Sequence, residues 1–258
     1  MISFPEIKRS RDYYLYDFSG NRYLDLYQNG GRAIMGHKPQ GLSTVLKNTI
    51  SKGLLSEYPG VYYKRLLKIL KIFFPEYEEY RVFSSMDKVV MVLSDYLQRS
   101  VTSIPDPVVT DSENQNISLW RPFLKPSKGK KPDILVPVLP FPLGGTPGLV
   151  CLKKTSGAEK IPPSDVVSPF MLAGIIKSLN ILLKFKNIYT EEIWCRFNSS
   201  LWDRKGPYLI MRCNREEYGD IFDRFKRRKI LLSPFFPGPS IVPLIFSEGD
   251  IKFIKKEG

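Results

Sequence analysis

A single histidine, His37, stands among 258 residues, so general acid–base catalysis on histidine has one candidate. Cysteine is almost as scarce. Cys151, Cys195 and Cys213 are odd in number, far apart and without a C-x-x-C pair, which excludes a disulfide framework and a cysteine-rich zinc site; no metal is expected, and a reducing compartment fits. Long apolar runs are missing too. The opening MISFPEIKRSRD lacks the core of a signal peptide, and the most apolar later segment, 170–185, is broken by Lys177 and Lys184, so a cytoplasmic protein without a membrane partner is expected. Acidic residues number 26 against 39 basic ones, a net charge of +13. Such a balance attracts nucleic acid only where the cations share a face. The clusters KPSKGKK (125–131) and RFKRRK (224–229) come without a zinc finger, an RNP-like aromatic strand or helix-turn-helix spacing, so nucleic acid is not the expected partner.

What is present folds. Apolar residues make up 43% and aromatics 13%, the range of a packed protein, and the length allows one large core or two modest ones. In YYLYDFSGNRYLDLY (13–27) large apolar and polar residues alternate on both sides of Ser19-Gly20-Asn21, which predicts a β-hairpin. After the glycine-rich GGRAIMGHKP (30–39), a 3.6-residue period predicts helices over 40–53 and 60–73, the second ending before Pro75. YRVFS (80–84) reads as a strand and 86–99 as a helix. Residues 101–133 are rich in Pro, Ser, Asn and Lys and read as linker or loop. Buried strands are expected at 133–139 and 148–152, flanking the uncharged loop LPFPLGGTPG (139–148), and a long apolar helix at 165–185. The last third, with strands at 208–213, 230–234 and 240–246 and a helix at 215–228, reads as a small α/β unit joined to the N-terminal segment.

A strand that turns at Ser84-Ser85 into a helix can present free N–H groups to an anion. Here Asp87 puts its own charge in that first turn, so a capped structural helix is the expected reading. Ser85-Met86-Asp87-Lys88 also spells S-x-x-K, but its companion motifs are missing. The adjacent pairs Glu191-Glu192 and Glu216-Glu217 point apart on a helix and read as solvated charge.

In this order the motifs resemble the class III aminotransferases, pyridoxal-phosphate enzymes of fold type I. YLYDFSGNRYLDLYQNGGRAIMGHKP is similar to that family's opening hairpin and glycine turn, matching at Asp17, Gly20, Asn21, Tyr23, Asp25, Gly36, His37 and Pro39. PDILVPVLPFPLGGTPG resembles its strand and lysine loop, SDVVSPFMLAGIIKSL its segment that starts with a phosphate-binding threonine, and YGDIFDRFKRRKILLSPFFPGPSIVPLIFSEGDI its small C-terminal domain, especially in the aminomutase branch. The resemblance implies an α/β fold, a reduced form of fold type I with a shortened large-domain sheet. Its parts are an N-terminal hairpin and helix segment at 1–58, a truncated large domain at 59–190 containing the loop 101–132, and a small C-terminal α/β domain at 191–258. It also implies a structural role for His37.

The departures bear on function. The Schiff-base lysine stands three residues ahead of the paired glycines Gly144 and Gly145, and here that position is Phe141, which has no amine. The phosphate cup of serine, glycine and threonine becomes Ser85, Met86 and Asp87, and the threonine beyond it becomes Ser164. No aspartate can be placed for the pyridine nitrogen, since Asp106 and Asp111 lie in loop-like sequence. The resemblance therefore leads to an expected non-catalytic aminotransferase-like protein without pyridoxal phosphate. A residual pocket would be lined by Gly30, Gly31, Ser85, Asp87, Phe141, Gly144, Gly145 and Ser164. Because fold type I sites are built across a dimer, a homodimer or a pairing with a complete aminotransferase is expected. The alternatives are an active pyridoxal-phosphate enzyme using a displaced lysine, such as Lys153 or Lys154, and a basic nucleic-acid-binding protein.

Overall fold

The computed structural model describes residues 3–53, 60–110, 116–125, 131–154 and 157–257. In chain order its elements are β1 (Ile7–Arg11), β2 (Tyr14–Asp17), β3 (Arg22–Asp25), α1 (Leu42–Ile50), α2 (Val61–Phe73), β4 (Glu79–Phe83), α3 (Met86–Leu97), β5 (Ile117–Trp120), β6 (Ile134–Pro137), β7 (Gly148–Leu152) and α4 (Pro169–Phe185). They continue with α5 (Glu191–Trp194), β8 (Trp202–Lys205), β9 (Tyr208–Met211), α6 (Arg215–Arg227), β10 (Ile230–Leu231), β11 (Ser240–Ile241) and α7 (Glu248–Glu257). Two units emerge: residues 1–39, 123–125 and 184–258 form one, and 40–122 with 126–183 form the other.

In the second unit a four-stranded sheet runs β4-β7-β6-β5, with β5 parallel to β6 and β7 antiparallel to both its neighbours. Strands β6 and β7 are buried at every position, as continuous apolar runs must be when both faces of a sheet are covered. Alternate residues divide between two cores. Tyr80, Val82, Leu135, Leu149 and Cys151 pack with α2 and α4, while Phe83, Ile134, Val136, Val150 and Leu152 pack with α3. A helix layer therefore covers each face.

In the first unit the predicted hairpin forms, with Gly20 at φ +81° in its turn and Tyr14 opposite Leu24. β10 adds to it in parallel, Ile230 opposite Leu24, so the N-terminal hairpin and the last third share one sheet, β1-β2-β3-β10. A second sheet, β11-β9-β8, lies in the same unit. Their core joins Tyr13, Leu24, Leu26 and Trp202 to Phe222 and Phe225 of α6 and Ile251 and Ile254 of α7. α6 starts with a capping box in which Asn214 and Glu217 each accept the other's backbone N–H, so Glu217 is a cap rather than free charge.

Several expectations need correcting. The stretch read as linker holds a sheet strand, β5, whose burial is shared with β6. The helix expected from 165 starts at Pro169, and the strands expected over 230–234 and 240–246 are two-residue bridges, because Pro234 and Pro243 cannot donate to a ladder. β1, β8 and α7 went unread, α7 because its charged face hides a short apolar stripe. Asp111 and most of the basic cluster 125–131 lie outside the described residues. No helix among the described residues is long and apolar enough to cross a membrane.

Candidate functional site

The turn from β4 into α3 is closed by the chain's own side chains. Ser85 is the N-cap of α3, its Oγ accepting the Lys88 N–H at 3.1 Å, so the S-x-x-K spacing is a cap. The Ser84 N–H donates to Asp165 Oδ2 at 2.8 Å, which puts a carboxylate on a donor that an anionic ligand would use. Asp87 adds a second negative charge in the first turn of the helix.

Ser164 is committed as well. Its Oγ accepts the Val82 N–H at 3.0 Å and pairs with the Tyr63 hydroxyl at 2.9 Å. The Asp165 N–H donates in turn to the Val82 carbonyl at 2.8 Å. Ser164 and Asp165 thus act as a two-residue stand-in for a neighbouring strand along the open edge of β4.

The loop between β6 and β7 is brought against this turn at one end. At Gly148 a β-carbon would meet the Ser85 carbonyl at 2.7 Å and Val89 Cγ2 at 2.3 Å, so only glycine allows β7 to start this close to α3. Gly144 and Gly145 are exposed, and β-carbons there would touch nothing within 4 Å. Their role is local: Gly145 turns the chain at φ +66° while Thr146 Oγ1 donates to the Leu143 carbonyl at 2.8 Å. Phe141 points the other way. It is 0% exposed and packs in the core with Leu42, Leu66 and Leu172. Its ring lies on α4 where Gly174 leaves room, a β-carbon there falling 2.6 Å from Phe141 Cε2.

Gly30 and Gly31 belong to the other unit. Gln28, Asn29, Gly30 and Gly31 follow one another at φ of +48°, +51°, +68° and +103°, a left-handed run that costs free energy at the two non-glycine positions. Asp25, 2% exposed, holds the run in place. Its Oδ1 accepts the N–H groups of Tyr27 and Gln28 at 2.9 and 3.0 Å, and its Oδ2 pairs with His37 Nε2 at 2.8 Å. His37 is therefore the clamp of the glycine turn.

Tested residue by residue, the arrangement does not fit pyridoxal phosphate. The position that the resemblance assigns to the reacting amine is a buried aromatic ring, and two backbone donors at the turn, the N–H groups of Ser84 and Lys88, are met by Asp165 and Ser85. Lys153 follows the end of β7 opposite the loop, about 17 Å along the strand from Gly148. There it donates to the Lys131 carbonyl and faces Asp133 at 3.7 Å. Asp106 is no pyridine partner either, because its carboxylate receives Arg121 Nε and Nη2 at 2.9 and 2.6 Å. Burial pushes the Cys151 thiol well above its ordinary range, so it stays protonated. Among the described residues no group of histidine, cysteine and acidic side chains could hold a metal.

Asp165, Tyr63 and Gly174 escaped the sequence reading. Asp165 lies within the expected helix 165–185 but precedes its actual start at Pro169, and a glycine inside a long apolar helix marks a close approach without saying by what.

No protein-family model matches the chain. It is 33% identical to an uncharacterized protein of Borreliella burgdorferi across 98% of its own length and 89% of that protein, and 22% identical to an uncharacterized protein of Treponema pallidum across 94%. A stretch of 85 residues, 33% of the chain, is 33% identical to the glutamate-1-semialdehyde 2,1-aminomutase of Heliobacterium modesticaldum, covering 20% of that enzyme. Among solved structures, ornithine aminotransferase from Plasmodium yoelii superposes with a TM-score of 0.67 at 12% identity over 99% of this chain and 93% of its own. Acetylornithine aminotransferase from Elizabethkingia anophelis gives 0.67 at 11% over 99% and 94%, and a transaminase with pyridoxal phosphate bound gives 0.71 at 13% over 97% and 88%. The chain belongs to one family with the Borreliella burgdorferi protein, and its own fold is that of the class III aminotransferases in shortened form.

Proposed function

We propose that this protein is a non-catalytic descendant of the class III aminotransferases, acting in the cytoplasm as a binding or assembly subunit without pyridoxal phosphate. The observation that carries the reading is the buried ring of Phe141 against Gly174, at the position of the Schiff-base lysine. A site that had merely lost its lysine would leave a cavity, whereas here the space is packed and a core cluster depends on it. The carboxylate of Asp165 on the Ser84 N–H supports the same reading, since it would repel a phosphate at the cup. The protein pairs with itself or with a complete aminotransferase.

The test adds pyridoxal phosphate to purified protein, follows the absorbance of an internal aldimine, and treats the mixture with borohydride before mass spectrometry. The expected result is no aldimine band and no fixed adduct, together with a dimer in a solution mass measurement. A pyridoxyl adduct on one lysine would overturn the reading.

A further inference from the structure

Past the end of α3 the chain turns back toward β5, the outer strand of its sheet, and leaves an opening between them. A cavity of about 480 Å³ lies there, within the roughly 300–1,000 Å³ typical of small-molecule sites. Its floor is aliphatic. Leu93 and Leu97 of α3 line it with Ile104 and Ile117, and no aromatic ring among the described residues does. Leu93, Ile104 and Ile117 also belong to the core cluster that α3 forms with β6 and β7, so the floor is packed structure.

The rim is polar. Arg99, Ser100, Thr102, Ser103 and Asn116 stand round it, and Arg99 is the only charged lining residue among the described residues. No carboxylate among them pairs with its guanidinium, and the hydroxyls of Ser100, Thr102 and Ser103 are likewise unengaged. Hydrogen bonds hold the rim in place. Ser94 Oγ accepts the Val101 N–H at 3.0 Å, the Leu119 N–H donates to the Pro105 carbonyl at 2.8 Å, and the Ile134 N–H to the Asn116 carbonyl at 2.9 Å. A helix end carries partial negative charge, which opposes an anion. Here the last turn is already answered, since the Ser94 and Asp95 carbonyls accept the N–H groups of Arg99 and Gln98, both at 3.2 Å, and Asp95 itself does not line the cavity. The full charge of Arg99 therefore sets the sign.

We propose that this cavity binds a carboxylate with an aliphatic tail, of the medium-chain fatty-acid type. Charge complementarity puts the carboxylate at the rim, where the planar donors of Arg99 match its two oxygens and the neighbouring hydroxyls can donate to the remaining lone pairs. The tail lies on Leu93, Leu97, Ile104 and Ile117. Aliphatic walls reward a flexible chain by burial and offer a ring no stacking partner. Because α3 is roughly 17 Å long, the cavity stands at the opposite end of that helix from the Ser84-Ser85 turn. The inference is therefore independent of the fate of the cofactor site.

The test is calorimetric titration of the intact protein with hexanoate, octanoate, octanol and octyltrimethylammonium, the bound position being located by amide chemical shifts of isotopically labelled protein. Octanoate should bind about fifteenfold more tightly than hexanoate, about fourfold for each added CH₂ that is buried. Octanol should bind more weakly than octanoate, and the ammonium more weakly still. Shifts should concentrate at 93–105 and 116–117. Arg99→Gln, at an exposed position, should cost octanoate about tenfold and leave octanol binding and thermal unfolding unchanged. Lys52→Gln removes the same charge from an exposed site elsewhere and should change nothing. The proposal is overturned if octanoate does not bind, if the ammonium binds as tightly, if Arg99→Gln and Lys52→Gln behave alike, or if the shifts fall outside the cavity's residues.

Discussion

Phe141 and Gly174 occupy one another's space: a β-carbon on Gly174 would stand 2.6 Å from Cε2 and 2.9 Å from Cζ of the Phe141 ring. Leu46 Cδ2, at 3.0 Å, stands on the third side, and the fully buried Phe141 ring has the least room to yield. Gly174→Ala is expected to destabilise by about 1–3 kcal/mol through overpacking, and Phe141→Ala by about 3–5 kcal/mol through the cavity it leaves. Phe141→Lys puts an amine into the apolar cluster with Leu42, Leu66 and Leu172, so it should destabilise without producing an aldimine. Urea unfolding measures the first two, and absorbance with added pyridoxal phosphate the third.

Ser164→Ala removes one oxygen and strands two partners, the Val82 N–H and the Tyr63 hydroxyl. Val82 is 1% exposed, so water cannot replace the lost acceptor. The expected cost is about 1–3 kcal/mol. Tyr63 is partly exposed and its hydroxyl can turn to solvent, so Tyr63→Phe should cost less than Ser164→Ala. Paired denaturation curves decide the order.

Asp106 and Arg121 anchor the segment that leads into β5. Their side chains are 15% and 8% exposed, and the contact is two-pronged. Removing one partner leaves the other charge buried, so Asp106→Ala should cost about 3–5 kcal/mol, whereas replacing both with apolar residues of similar size should cost much less. Hydrogen exchange at Leu119, whose N–H donates to the Pro105 carbonyl at 2.8 Å, should speed up in Asp106→Ala.

This pair also marks where the sequence stops being legible. The hairpin, α1, α2, α3 and the strands flanking the loop follow from alternation, period and turn residues, which are local signals. β5 does not, because four residues of mixed polarity become a strand only when β6 lies alongside. The Phe141 position could be read as lacking an amine, yet what fills the space depends on Gly174, 33 residues on.

Alkali should unfold the protein through its tyrosines. Tyr13, Tyr14, Tyr77, Tyr80, Tyr189 and Tyr218 each donate a hydroxyl hydrogen bond, five of them to backbone carbonyls and Tyr14 to the Asp250 carboxylate. Burial raises the pKa of all six. For Tyr14 and Tyr80 it pushes the value up to about 12, and for Tyr14 the hydrogen bond to Asp250 and that carboxylate's charge add to the rise. In the unfolded chain each ionises near the ordinary value of about 10. The folded state then binds more protons than the unfolded one above that pH, so stability falls as pH rises. The stabilisation is fully present below about pH 9 and is lost progressively from about pH 10 through the folded values at and above about 12. Urea midpoints should stay flat on the tyrosine account up to about pH 9 and then drop steeply. Tyr14→Phe should cost about 1 kcal/mol at neutral pH and make the alkaline decline shallower by one proton's worth of slope. A tyrosinate absorbance titration should show these six ionising only with unfolding. Ionisation of all the tyrosines in one step near pH 10, in protein that remains folded, would contradict the buried hydrogen-bonded arrangement.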